Sequence, residues 1–153
     1  MELTCAEVLR LIPQQEPFRF VDQVDHIDGQ TVRSHYTFRP GHDFYRGHFP
    51  GNPITPGVIL VEAAAQMTVV AHAIWLLGKI CESEQEIASY TTLFTGIEEC
   101  RFYKPVLPGD TVMAEGTLLA WKLKRIKHKV TLQNQAGDRI MTCVLGGFGL
   151  KNS

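Results

Sequence analysis

The apolar positions along the chain keep three different rhythms, and these divide it into elements. Residues 3 to 12 put Leu3, Ala6, Val8, Leu9 and Ile12 at helical spacings, with Thr4 placed to cap the first turn and Pro13 to end the run. A short amphipathic helix is expected there. From Phe18 the pattern turns strand-like. Asp28-Gly29 follows the stretch Phe20 to Ile27, and Gly137-Asp138 precedes Arg139 to Leu145. Both are tight-turn pairs, which predicts antiparallel hairpins.

The third rhythm has no polar face. Between Pro56 and Gly78, Val58 to Val61, Ala63 to Ala65, Met67, Val69 to Ala71 and Ile74 to Leu76 are apolar on nearly every side, so a helix here must be buried. Glu62, Gln66, Thr68 and His72 interrupt it, which speaks against a membrane span. Pro56 suits the first turn and Gly78 the stop. Residues 81 to 90 read as a polar connection, after which Phe94 to Phe102 and Thr111 to Lys129 resume strand-like patterning, punctuated by Pro105 and Pro108-Gly109-Asp110. There is no internal repeat or low-complexity tract. The expectation is one α+β domain over residues 1 to 153, with an antiparallel sheet wrapped around one long central helix.

Composition narrows the function classes. At 44% hydrophobic residues in 153, the chain can bury a real core, and a net charge of -1 gives it no overall attraction for nucleic acid or an anionic membrane. Cys5, Cys81, Cys100 and Cys143 form no C-x-x-C pair, so a zinc knuckle or disulfide framework is not expected. The first residues lack the basic region of a secretory signal, and a cytoplasmic location is inferred. Nucleotide-loop and serine-hydrolase motifs are absent.

The chemistry concentrates between Gly47 and Glu62. Three prolines and three glycines in residues 47 to 58 make a stiff, tightly turned loop that ends at a helix N-terminus. The unpaired N–H groups of Gly57 and Val58 there suit a developing negative oxygen. Glu62 stands in an otherwise apolar helix, where burial raises the pKa of a carboxyl group and lets it hold and deliver a proton. His48 supplies a complementary base. Such a set fits elimination of water beside a thioester, and that reaction requires no metal or cofactor.

The segments HFPGNPITPGVILVEAAAQ (48 to 66), IPQQEPFRFVDQV (12 to 24) and FTGIEECRFYKPVLPGD (94 to 110) resemble, in the same order, the bacterial 3-hydroxyacyl-[acyl-carrier-protein] dehydratases of the FabZ type. The resemblance implies a hot-dog fold, His48 and Glu62 as the catalytic pair, and substrate contact at the Gly57 and Val58 N–H groups. Phe49 and Gln66 are assigned to the substrate site with them, Gln66 as support rather than chemistry. It further implies acyl carrier protein as partner, and a homodimer or trimer of dimers whose sites each take the histidine of one subunit and the glutamate of the other. Glutamate rather than aspartate at 62 matches the plain dehydratase, without double-bond isomerisation. Gln14-Gln15-Glu16 stands where family members often show His-Arg-Tyr, a departure that fits a specialised acyl pathway such as a polyene or lipid branch. The competing readings are a hot-dog thioesterase and a non-catalytic acyl-binding subunit.

The remaining polar clusters receive plainer readings. His26, His35, His42, His72 and His128 show no metal-ligand spacing and are assigned to surface or core. Asp22, Asp25 and Asp28 lack the alternation of a calcium loop. Residues 121 to 129 carry five cations, read as an exposed strand face or a dock for an acidic carrier protein.

Overall fold

The computed structural model describes residues 1 to 153. Six antiparallel strands form one sheet in the order β1-β2-β4-β5-β6-β3: β1 Gln23–Ile27, β2 Thr31–Thr37, β3 Tyr90–Phe102, β4 Thr111–Lys122, β5 Arg125–Asn134 and β6 Arg139–Lys151. The helix Gly57–Gly78 lies against it, and 78% of its most apolar window is buried inside the protein. Burial therefore explains its length and apolarity. The strands alternate as a one-sided sheet must: on β5, Ile126, His128, Val130 and Leu132 point into the core while Arg125 and Lys129 point out. Each fully buried Leu or Ile in that layer, such as Leu132, Ile140 and Leu145, contributes about 2 to 3 kcal/mol.

The N-terminal helix forms over Cys5–Leu11. Thr4 and Glu7 close a capping box at its start, and Val8 is its buried anchor. The two Gly-containing hairpins also form, with Asp28 Oδ1 accepting from the N–H groups of Gln30 and Thr31 at 2.8 Å each.

Three local features differ from the sequence-based expectation. The connection 81 to 90 contains a helical turn, Glu84–Ala88, capped by Ser83 and pinned by buried Ile87. The strand-like run Thr111 to Lys129 contains a reversal the sequence did not announce: it is two strands joined at Leu123-Lys124, both with positive φ (51° and 61°). Neither residue favours that conformation, but Lys124 is fastened from outside the turn. Its Nζ donates to Tyr90 Oη at 2.7 Å and its carbonyl accepts from Gly149 N–H at 2.9 Å. The basic run thus wraps a hairpin tip, where Lys122 faces Arg125 across the ladder, instead of lining one exposed strand face.

The third difference is in the helix itself. Its middle, Gln66–Val70, is π-helical. This segment presses on the sheet at two glycines: a Cβ on Gly116 would stand 2.7 Å from Thr68 Cβ, and one on Gly147 would stand 2.8 Å from Val69 Cγ1. Ser34 Oγ donates to the Met67 carbonyl at 2.8 Å, and Thr68 Oγ1 to the Ala64 carbonyl at 2.7 Å.

Candidate active site

The three stretches of sequence that carry the family resemblance converge on the N-terminal half of the central helix. His48 ends a four-residue helix, Phe44–Gly47, and its backbone is held on both sides: its N–H donates to the Phe44 carbonyl and its carbonyl accepts from Ile54 N–H, each at 2.9 Å. The loop between them folds tightly, with Phe49 and Asn52 exchanging backbone bonds and Gly51 at φ 71°. The His48–Phe49 peptide is cis. Beyond the loop, Thr55 is locked by its N–H to the Val106 carbonyl and by a 2.6 Å bond between its hydroxyl and Tyr45 Oη.

These anchors fix the chemistry of the imidazole. His48 Nδ1 lies 2.8 Å from the Ile54 carbonyl oxygen, which can only accept, so Nδ1 carries the proton. In the neutral ring Nε2 is then bare, half-buried and free to take a proton. The Phe49 ring stacks on it with centroids 4.0 Å apart. Around His48 lie Ile54, Thr55, Gly57, Leu60, Phe102 and Tyr103. The Gly57 and Val58 N–H groups have no backbone acceptor, as the first N–H groups of a helix do not. Gly57 also admits the Phe102 ring, which a Cβ would meet at 3.1 Å. Val58 is 77% exposed and, unlike Gly57, does not border that hollow.

Glu62 is half-buried, and burial pushes its pKa up, against a smaller lowering by the Gln66 amide. Its Oε1 accepts from Gln66 Nε2 at 2.8 Å, while Oε2 makes no bond to the protein. Gln66 is fully buried and fully used: Oε1 accepts from Phe20 N–H at 2.7 Å, and Nε2 also donates to the Phe18 carbonyl at 3.0 Å. Its amide has no free proton for a ligand, and its work is to tie Glu62 to the Phe18–Phe20 segment. The hollow in front of Glu62, of about 30 Å³, is walled by Gln14, Ala65, Val69, Thr92, Phe94 and Gly147, among others.

His48 and Glu62 therefore sit in two hollows of the single chain that share no lining residue. What links them is β3, an edge strand: Thr92, Leu93 and Phe94 border the glutamate, and Phe102 borders the histidine. Along it Leu93, Phe94, Ile97 and Phe102 are 43 to 51% exposed, an apolar edge that soluble proteins rarely leave open. Sequence reasoning assigned neither this edge nor Gln14 to the site. For the edge, the signal available was the apolar content of Leu93 to Phe102 on a strand next to the motif. For Gln14, it was the polar departure from the family pattern.

Comparison with known proteins agrees with this architecture. The chain is 38% identical over 129 residues to a 3-hydroxyacyl-[acyl-carrier-protein] dehydratase FabZ from Acetivibrio thermocellus, covering 84% of this chain and 82% of the relative. It is 40% identical over 116 residues to the protein of that name from Escherichia coli, covering 75% and 72%. Among solved structures it superposes on the dehydratase heterocomplex ApeI:P from Xenorhabdus doucetiae with a TM-score of 0.76 at 16% identity, over 94% of this chain and 91% of that one. On a thioesterase from Haemophilus influenzae the TM-score is 0.66 at 13% identity, over 99% and 93%. The fold is thus the hot-dog fold. The model of the FabA-like domain matches residues 12 to 141, and the chain belongs to that family, on its FabZ-type dehydratase branch.

Proposed function

We propose that this protein removes water from a 3-hydroxyacyl thioester borne on acyl carrier protein, giving the trans-2-enoyl thioester. The observation that carries the reading is a matched acid and base. The His48 ring is pinned by Ile54 with Nε2 bare, and the Glu62 carboxyl is biased toward its protonated form by burial, with one oxygen open to a hollow. His48 Nε2 takes the proton alpha to the carbonyl. The enolate oxygen is held by the Gly57 and Val58 N–H groups and the positive helix end. Glu62 gives its proton to the departing 3-hydroxyl, and water leaves as the C2–C3 double bond forms. Proton exchange from imidazolium to carboxylate through solvent resets the pair.

The separation of the two hollows calls for a second copy. Antiparallel pairing of β3 with its symmetry mate around Ile97 would bring Thr92–Phe94, beside Glu62, against Phe102 of the other copy, beside its His48. It would also cover the exposed apolar edge. Homodimerisation through β3 thus completes the site and protects the sheet together.

The test is the ultraviolet absorbance of the conjugated enoyl thioester, followed with 3-hydroxyacyl substrates on carrier protein and on a small thiol. Enoyl formation by the wild type, without release of free thiol, is expected. Thiol release without enoyl formation would make the protein a thioesterase, and neither product at any chain length would leave an acyl-binding subunit.

A further inference from the structure

The loop that presents His48 is tied shut by a bond between two side chains that the reaction as described does not use. Tyr45 and Thr55 stand on either side of it, 6% and 3% exposed, and their hydroxyl oxygens meet at 2.6 Å. Burial pushes the Tyr45 phenol up, so the pair is two neutral hydroxyls sharing one hydrogen bond. Stability does not require it. Phenylalanine against valine has nearly the same shape, avoids stripping two hydroxyls of water, and is close to neutral for the fold. What a hydroxyl bond adds is direction: it fixes a distance and an angle where an apolar contact lets two groups slide.

The group whose direction matters is the adjoining peptide. The Ile54–Thr55 peptide carries the carbonyl that receives His48 Nδ1–H at 2.8 Å, and its N–H donates to the Val106 carbonyl at 2.9 Å. Imidazole, peptide and carbonyl thus stand in one hydrogen-bonded row in which each bond polarises the next. This row decides which ring nitrogen is bare. If the peptide turns about its long axis, the Ile54 oxygen leaves Nδ1, and the proton is free to move to Nε2, where it blocks the uptake of another. Few contacts oppose that turn. The peptide lies between Pro53 and Pro56, neither of which has an N–H to anchor the chain, and the Ile54 N–H is taken by the His48 carbonyl. Besides the Val106 bond, the polar anchor left is Thr55 Oγ1. It is held by Tyr45, which belongs to the same short helix, Phe44–Gly47, that His48 ends.

We infer that the Tyr45–Thr55 hydroxyl pair is the positioning element of the general base: it holds the Ile54–Thr55 peptide in the orientation that keeps the proton on His48 Nδ1 and leaves Nε2 free to take the alpha proton. The inference rests on the dehydratase reading for the step it serves. Neither hydroxyl touches the substrate in this role. Both act through the peptide, and their loss shows as a base in the wrong tautomer, not as a weaker grip on the thioester.

The paired variant Tyr45→Phe/Thr55→Val deletes both hydroxyls and keeps their shapes. Its unfolding midpoint is expected to match the wild type, while its kcat for enoyl formation falls about tenfold at unchanged KM, the scale of loss from a small misplacement of a reacting group. Nitrogen NMR of protein carrying isotope-labelled histidine, at about pH 8.5 where an ordinary imidazole is neutral, reads the tautomer directly. His48→Ala identifies the His48 signals. The wild type is expected to show Nδ1 protonated and Nε2 bare, and the paired variant a mixture of both tautomers. Thr55→Ser, which keeps the hydroxyl, is expected to keep the wild-type kcat and tautomer. Tyr45→Phe alone deletes one atom, is expected to show the same two changes, and carries the test if the paired variant does not fold. A variant without the pair that keeps the wild-type kcat, or whose His48 tautomer is unmoved, overturns the positioning role and leaves the dehydratase reading intact. A wild type that forms no enoyl product overturns that reading instead, and the tautomer alone then decides the role of the pair.

Discussion

The same apolar helix carries polar side chains in two places, Glu62 with Gln66 and His72 with its partner on β5, and the two pairs have opposite characters. Glu62 and Gln66 stand in its first half, with one carboxyl oxygen open to a hollow. His72 stands further along, bonded at 2.8 Å to His128 of β5, and both rings are completely buried. One proton arrangement satisfies the histidines. His72 Nε2–H donates to the Asp28 carbonyl at 2.9 Å, leaving His72 Nδ1 to accept from His128 Nε2–H. His128 Nδ1 then stays bare and unpartnered. Burial holds both neutral, His128 with its pKa pushed down to about 3. A polar side chain in a buried helix is therefore no mark of chemistry by itself. What separates the two pairs is a free valence facing open space, which Glu62 has and the histidines lack.

Removing the Glu62 carboxyl should sharply lower activity without cost to the fold. Glu62→Gln is expected to lower kcat/KM about a hundred- to ten-thousandfold in the enoyl assay, the usual share of a general acid. Its stability should move the other way. The raised pKa means that the folded state holds the proton more tightly than the unfolded chain, so Glu62 costs stability as pH rises above the ordinary carboxyl range. At neutral pH the glutamine variant should unfold at the same temperature as the wild type or higher.

The histidines should give the mirror image. His128→Phe strands His72 Nδ1 without a donor and is expected to cost about 1 to 3 kcal/mol in chemical denaturation, with kcat/KM per folded molecule unchanged. The pH dependence carries the same contrast. The unfolded chain protonates these rings near their ordinary pKa and the folded chain only at lower pH, so their contribution is complete above about pH 6.5. For His128 it then falls by up to about 1.4 kcal/mol per pH unit toward pH 3. The phenylalanine variant should lose much of that acid sensitivity.

Gln66 tests the first pair more gently. Gln66→Leu removes the amide that lowers the Glu62 pKa, so the alkaline limb of the pH–rate profile, where the acid loses its proton, should move to higher pH. The smallest expected effect lies at the hairpin tip. Lys124 is bound to Tyr90, Arg125 lies over Phe148 and Lys127 pairs with Glu98, whereas Lys122 and Lys129 make no ion pair. Reversing Lys122 and Lys129 to glutamate should raise KM a few-fold for carrier-bound substrate only, and an equal KM would remove this surface as the carrier dock.

Much of the fold was legible because its signals are local. The capping box at Thr4 and Glu7, the Gly-containing turns and the faceless apolar run from Val58 each declare their element within a few residues. Glu62 was legible for the same reason, as a carboxylate in that run. The rest depends on distant partners. Leu123-Lys124 has no turn residue and is held by Tyr90 and Gly149; the π-helical segment answers to Gly116, Gly147 and Ser34 across the sheet. His72 and His128 are 56 positions apart, and nothing in either neighbourhood announces the other.

The central claim is that a working site takes His48 from one chain and Glu62 from the other. Differently tagged His48→Ala and Glu62→Gln chains, co-expressed and purified as the mixed dimer, test it directly. Each such dimer would hold one intact and one doubly disabled site, so about half the wild-type rate of enoyl formation is expected while either variant alone is inactive. A mixed dimer as inactive as its parents would contradict the shared site.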